Sequence, residues 1–521
     1  MKKIIVLLLA LAMTASCFVA CNTNGTTNNE PDTTPDISTT EEVIEETTTA
    51  EETTAAKPLS KVSPANIVKE IDPDAVSFAS ASGIREVVFS GVTKEKVLKA
   101  FMDEDFTELP VNRIEGAKFE TIVLTRSYHT VTLYCDSANN EVRAMWESDA
   151  KLSVLNPTEE TGSGTITVAQ VGTERTSETD NPLIGMCYII KLSNGSAIII
   201  DGGFNTAKCA DNIYNTLEKL EVAKTNDRFI IEAWIITHGH GDHAGAFKMF
   251  SSLYSAKARV RNVILSYPPN DKLIVSGGKS FSTEAFSTAT VITPHAGLKY
   301  YFGNVTISMF YTPDMIYANG YQIDNFNDSS LVFRIEGGGA SAMFLGDAGE
   351  TVSTELMASY EESAFKSDIF QISHHGLYTS ANSGHNWTNQ EKFYKAIGAS
   401  YVFLPMQEYL EGNSRNGRYT VLITWAAVNH QVAFVMNTSD NHGQSSISQS
   451  YYTSFVESVK NGTSTKSTLY GYDGINKIEN GKGLTTYLGG NETDPMITIF
   501  EFANNKATLK TNKPLHEWLG K

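Results

Sequence analysis

The chain has 521 residues, 41% of them hydrophobic and 10% aromatic, which suits a folded protein with one large core or two to three smaller ones. Its formal net charge is −18, but nine acidic residues and no basic one fall between Asn22 and Ala56, so half of the excess lies in one short stretch. The remainder is mild and forms no basic stripe, which argues against a dedicated nucleic-acid binder.

In chain order, Lys2 and Lys3 precede an apolar run from Ile4 to Met13, and small residues then lead to "CFVAC". The run is too short to span a bilayer as a mature helix, so residues 1–21 read as a targeting segment. "FVAC" resembles the lipobox of bacterial lipoproteins, which implies cleavage before Cys21 and a diacylglycerol thioether on its sulfur. Cys17, in "TASC", is the other candidate, and a plain secretory signal is the alternative. The expected location is the outer face of the bacterial cytoplasmic membrane, with the lipid anchor as the sole membrane contact. Besides Cys21, processing leaves Cys135, Cys187 and Cys209, which make no disulfide framework in a chain this large.

Residues 22–57 are rich in Thr and Glu with almost no large apolar side chains, so they read as a disordered, solvated tether. Residues 58–155 read as a small α+β domain of unknown role. In it "TKEKVLKAFMDEDF" places Val97, Leu98, Phe101 and Met102 on one helical face with Thr93 as N-cap. His129, alone in a strand, reads as a packed or surface histidine. After a turn-rich boundary at 156–164, strands and helices interleave over residues 165–445, as in an α/β sandwich covered by helices. Residues 446–521 read as a loop-rich extension that packs on this domain and ends in the hairpin-like "MITIFEFANNKATLKT".

The densest chemistry is "THGHGDH", residues 237–243. A strand ending at Thr237 would deliver His238 to a sheet edge. Gly239 and Gly241 would allow backbone angles that a side chain forbids, letting His238 and His240 swing to one point. Asp242 and His243 open the next helix and can face a second point. Imidazole and carboxylate donors are zinc-type ligands, and the lack of cysteine among them favours a catalytic over a structural site. One loop cannot close such a site. "FLGDAG" ends a strand at Asp347, and "SHHG" ends another at His374 and His375. Three strand ends tipped with ligand-type residues converge naturally along one edge of a sheet.

These stretches, with "IIIDGG" (198–203) and "NDSSLVFRIE" (327–336), resemble the metallo-β-lactamase superfamily over about residues 165–440. The similarity is closest to the branch holding the hydrolase-like domain of the competence protein ComEC and surface phosphorylcholine esterases. The resemblance implies an αββα sandwich preceded by the small N-terminal domain. It implies that His238 and His240 hold one metal ion, that Asp242 and His243 hold a second, and that Asp347 bridges them. His374 or His375 would complete the set; we place His374 as ligand and leave His375, with Asp242, to move protons. Asp201 would organise the ligand loop from behind. The superfamily often carries a further histidine before the bridging aspartate, and here only His295 stands in that interval. The branch's "GHP" stretch is missing, which leaves His385, His430 and His442 as late candidates. ComEC's membrane channel is absent as well, so DNA uptake does not carry over.

The implied activity is a cell-surface hydrolase with two divalent metal ions, Zn2+ by ligand type, with Mn2+ or Fe2+ suited to the same donors. Two ions roughly 3.5–4 Å apart can share a hydroxide that attacks a phosphoester or phosphodiester. The substrate would be a small-molecule or cell-wall-polymer ester. Amide or lactone hydrolysis, β-lactams included, uses the same ligands and is one alternative. A non-catalytic surface-binding lipoprotein that retains the fold is the other.

Overall fold

The computed structural model describes residues 63–79, 85–127, 129–147, 164–173, 185–266, 288–317, 326–376, 388–407, 433–438, 468–470, 477–478 and 495–521. Cys21, the tether, His385, His430 and His442 lie outside the described residues.

The N-terminal part opens with helix α1 (Pro64–Ile71), whose N-cap Ser63 side chain accepts from Asn66 N–H. Strands β1 (Val76–Ala79) and β2 (Arg85–Ser90) precede α2 (Lys94–Met102), capped by Thr93 as its sequence requires. Val97 and Phe101 are buried, while Met102, at the edge of the apolar face, is 44% exposed. β3 (Thr107–Glu108), β4 (Asn112–Arg113), β5 (Glu120–Arg126), β6 (His129–Asp136) and β7 (Glu141–Glu147) follow. Among the described residues one antiparallel sheet runs β1-β2-β7-β6-β5-β3. Its core joins Ile67, Val68, Phe89, Phe101, Leu133 and Trp146.

The second sheet takes β8 (Ile166–Val171), β9 (Cys187–Lys191), β10 (Ala197–Asp201), β11 (Lys224–Thr225), β12 (Arg228–Ile235), β13 (Ala258–Ile264) and β14 (Thr290–Ile292). β10, β12, β13 and β14 run parallel, so their connections must cross over the sheet. Helices α3 (Ala207–Lys219) and α4 (Gly241–Tyr254) are two of those crossovers. The third sheet takes β15 (Leu298–Phe302), β16 (Val305–Tyr311), β17 (Val332–Gly337), β18 (Ala340–Phe344), β19 (Ile369–Gln371), β20 (Tyr401–Gln407), β21 (Ala433–Thr438), β22 (Thr468–Tyr470) and β23 (Lys477–Ile478) in sequential order. α5 (Glu350–Ser359) and α6 (Thr388–Ile397) connect its parallel strands.

Alternation along the strands sorts the apolar side chains into layers. In β10, Ile198 and Ile200 face the third sheet and meet Phe333, Phe344 and Ile369. Ala197 and Ile199 face the other way, onto Ile213, Leu217, Phe247 and Phe250 of α3 and α4. On the far side of the third sheet Phe370 packs on Tyr394 of α6 and Phe365 on Phe393. The order is therefore helices, sheet, sheet, helices, as the sequence leads one to expect. The C-terminal extension does more than pack on this sandwich. β24 (Met496–Ala503) pairs antiparallel with β8, and β25 (Lys506–Pro514) pairs with β24, so the two extend the second sheet.

The N-terminal sheet is joined to the sandwich by backbone and side chains. β4 leaves its neighbours to pair with β15. Thr121 Oγ1 donates to Ala296 O at 2.7 Å, Tyr134 Oη to an Asp314 carboxylate oxygen, and Arg143 Nη1 to Met315 O at 2.8 Å. No helix among the described residues is long and apolar enough to cross a membrane.

Candidate metal centre

The ligand loop is clamped before its histidines begin. Ile236 N–H donates to Ile264 O of β13, and Leu331 N–H, at the head of β17, donates to Thr237 O at 2.9 Å. The loop thus spans the ends of both sheets. β12 ends at Ile235, two residues before the expected strand end, and His240 is the N-cap residue of α4. Gly241 has an ordinary φ and open space where a Cβ would stand, so the expected need for glycine there does not arise. The left-handed residues of the centre are Asp201 (φ 53°), Gly346 (φ 53°), His374 (φ 49°) and His375 (φ 56°).

Three chain segments converge as the sequence suggests. His238 and His243 come from the loop and α4, Asp347 from the turn after β18, and His375 from the turn after β19; all four are buried. Ligand atoms of His238, His243 and Asp347 lie within 4.8 Å of one another, and so do those of Asp242, His243 and His375. Asp347 stands between the two groups. Its Oδ1 is 3.2 Å from His243 Nε2 and 3.5 Å from His375 Nε2, while its Oδ2 is 3.6 Å from His238 Nε2. His240 joins through Nδ1, 3.0 Å from His238 Nε2. His375 Nε2 is also 3.3 Å from Asp242 Oδ2. The sequence reading puts His374 as ligand and His375 as proton carrier; among the described residues it is His375 that joins a ligand-type group. His374 Nε2 lies 3.8 Å from Asp347 Oδ2 and receives a hydrogen bond from Asn327 Nδ2 at 3.3 Å.

The polar groups behind the histidines set which ring nitrogen faces inward. Asp201 accepts from Thr237 N–H and Thr237 Oγ1, each at 2.8 Å, and from His243 Nδ1 at 2.8 Å. Its carboxylate therefore holds the His243 proton on Nδ1 and turns Nε2 toward Asp347. Thr237, having donated its hydroxyl hydrogen to Asp201, can only accept from His238 Nδ1, 3.2 Å away. The Pro405 carbonyl, also only an acceptor, takes His375 Nδ1–H at 2.9 Å. Three Nε2 atoms are thereby aimed at one carboxylate.

Charge in this pocket is concentrated and largely buried. Burial opposes ionisation of Asp347 and Asp242, yet His243 and His375 hold both carboxyls well below the usual carboxylate range. Burial likewise opposes charge on His243 and His375. Asp347 and its neighbouring carboxylates nonetheless raise His243 well above the usual imidazole range and His375 to about 9. Burial depresses His238 and His240, and brings His374 down to about 4. Asp347 Oδ1 is buried and, among the described residues, meets only these imidazole nitrogens, none in good hydrogen-bond geometry. An oxygen so placed, facing inward-turned imidazoles, fits a divalent cation that replaces their protons.

The other histidines fall elsewhere. His295 is buried against Thr132 of the N-terminal sheet, with Oγ1 within 3.2 Å of its ring, so the histidine that stands in the expected interval serves the joint between the two sheets. His129 sits half-buried in β6. Thr237, Asn327, Ser330 and Pro405 also contact the pocket residues, a part not foreseen from the sequence. A hydroxyl inside the histidine motif and the polar run "NDSS" ahead of an apolar strand were the available signals.

Residues 180–383 match the family model of the metallo-beta-lactamase superfamily, a span that holds every residue of the Asp347 pocket named above apart from Pro405. No curated protein matches the chain. Solved structures similar to it include a variant of the beta-hydroxylase CmlA, 12% identical over 52% of this chain and 52% of that one, with a TM-score of 0.31. A second is the diiron beta-hydroxylase CmlA of Streptomyces venezuelae, at 14% identity, 47% and 46% coverage and a TM-score of 0.29. A third is a flavo di-iron protein variant from Thermotoga maritima, at 13% identity, 56% and 88% coverage and a TM-score of 0.24. The chain spans about half the length of the CmlA structures.

Proposed function

We propose that this protein is a hydrolase using two divalent metal ions to cleave phosphoesters or phosphodiesters at the outer face of the bacterial cytoplasmic membrane, where Cys21 anchors it. One observation carries the reading: the Asp347 carboxylate lies between the His238 and His243–His375 nitrogens, with one oxygen turned toward each side. His238, His240 and Asp347 would hold one ion. Asp242, His243 and His375 would hold the other, with Asp347 shared. When bound, such a pair polarises the ester and makes water a nucleophile near neutral pH. Zn2+ suits the donors, and Mn2+ or Fe2+ would fit the same nitrogen and oxygen set.

The chain's own groups do the remaining work. Asp201 and Pro405 O keep His243 and His375 in the orientation that offers Nε2. Burial keeps His374 neutral at physiological pH, and Asn327 occupies its Nε2, so the proton resides on Nδ1. Nδ1 has no hydrogen-bond partner among the described residues, which leaves it as a donor for a substrate oxygen. Asp242, 17% exposed at its side chain, is the carboxylate placed to exchange protons with solvent. The preference for phosphoryl esters is supported by the resemblance of "NDSSLVFRIE" and "SHHG" to the branch that contains phosphorylcholine esterases.

The test is metal analysis with turnover of bis-p-nitrophenyl phosphate. Two equivalents of metal are expected, with activity lost to chelation, restored by zinc, and abolished by Asp347→Ala. Failure to bind metal would overturn the centre. Two bound ions without turnover of phosphodiester, lactam or lactone substrates would overturn the hydrolase reading. Release of Cys21→Ala from the membrane fraction checks the anchor.

A further inference from the structure

The turn Asn327–Ser330 ahead of β17 contains no residue of either ligand group, yet it touches every segment that delivers one. Leu331 N–H, directly after it, holds the histidine loop through Thr237 O at 2.9 Å. Ser330 Oγ accepts from Asp347 N–H at 2.9 Å, and Asp328 Oδ1 accepts from Gly349 N–H at 3.2 Å, gripping the turn that carries the shared carboxylate. Asn327 Nδ2 reaches His374 Nε2 in the third segment. Asn327, Asp328, Ser329 and Ser330 are all buried.

The grip is close. Gly346 has φ +53°, and a Cβ there would stand 2.8 Å from Ser330 Cβ and 3.1 Å from Thr237 Cβ. The Asp347 turn, the Asn327–Ser330 turn and the histidine loop therefore meet without room for another carbon. From behind, Tyr311 Oη donates to Asp328 O at 2.8 Å, tying the turn to the end of β16.

We propose that Ser330 and Asp328 are positioning residues for the metal centre: by holding the Asp347 and Gly349 backbone N–H groups they set where the shared carboxylate stands relative to the histidines. The inference rests on the metal-centre reading above and assigns it a part that no ligand plays. Neither side chain would touch a metal ion; both act through the turn that presents Asp347. Outer partners of this kind typically change metal affinity 10–100-fold.

The experiment measures Zn2+ affinity of the full-length protein by competition with a chromophoric chelator. Ser330→Ala and Asp328→Ala should each weaken zinc binding about 10-fold or more. Asp328→Asn, which keeps a carbonyl oxygen for Gly349 N–H, should bind zinc as wild type does. Thr121→Val removes a buried hydroxyl at the joint with the N-terminal sheet and serves as control; its zinc affinity should be unchanged. Wild-type affinity in both alanine variants would overturn the proposal. So would equal weakening in Thr121→Val, which would mark a general loss of stability, or failure of Asp328→Asn to restore binding. Absence of zinc binding by the wild-type protein would instead overturn the metal centre itself.

Discussion

Around Phe101 the N-terminal part buries Val97, Phe89, Leu133 and Trp146, whereas around Asp347 the sandwich buries His238, His243, His375, Asp201 and Ser330. Both places are largely withdrawn from water. The first gains from doing so, because apolar area leaves solvent. The second is costly, because carboxylates and imidazoles lose hydration that only a full set of partners, or a cation, can replace. Buried charge held in geometric order thus sets the Asp347 pocket apart from the apolar Phe101 core.

The sharpest way to break the comparison is at the ligands. His375→Ala should weaken metal binding by more than the roughly 10–100-fold that loss of a supporting partner costs, and His374→Ala by less, as metal titration of each purified variant would show. Equal losses would erase the distinction between the two histidines. Next, Phe101→Ala should lower folding stability by about 3–5 kcal/mol in denaturant titration while leaving the metal content of the folded protein unchanged. A parallel loss of metal would mean that the support and the site are one cooperative object. The smallest effect concerns pH. In the metal-free protein His375 keeps its proton up to about pH 9, and a metal ion must displace it. Apparent metal affinity should therefore climb as pH rises from 6 to 8, by up to about tenfold per unit for each proton released, and level off above pH 9. A flat profile would show that no proton is displaced.

Much of the fold was legible because its signals are local. Ile198–Asp201 alternates between two apolar layers and is buried on both, which reads as a run of isoleucines in one dimension. Thr93 as cap and Val97 with Phe101 as the buried face need only helical spacing. The partner of β24 was not legible. It pairs Ile499 with Ala169 across more than three hundred residues, and nothing in a strand's own composition names so distant a neighbour.

The same division runs through the site. The candidate donor set was readable in one dimension, since "THGHGDH", Asp347 and the His374–His375 pair place nitrogen and oxygen donors at strand ends, and the chemistry of those side chains needs no structure to state. Which of these side chains come together depends on contacts made in three dimensions. His375 turns toward Asp242 because Pro405 O holds its Nδ1 and because its backbone takes a left-handed angle. His295 serves a joint between sheets because Thr132 waits there. The Asn327–Ser330 turn became visible as the meeting point of three ligand segments only once they were folded together. Ligand identity is a property of a side chain, whereas ligand position depends on backbone groups brought together from distant parts of the chain.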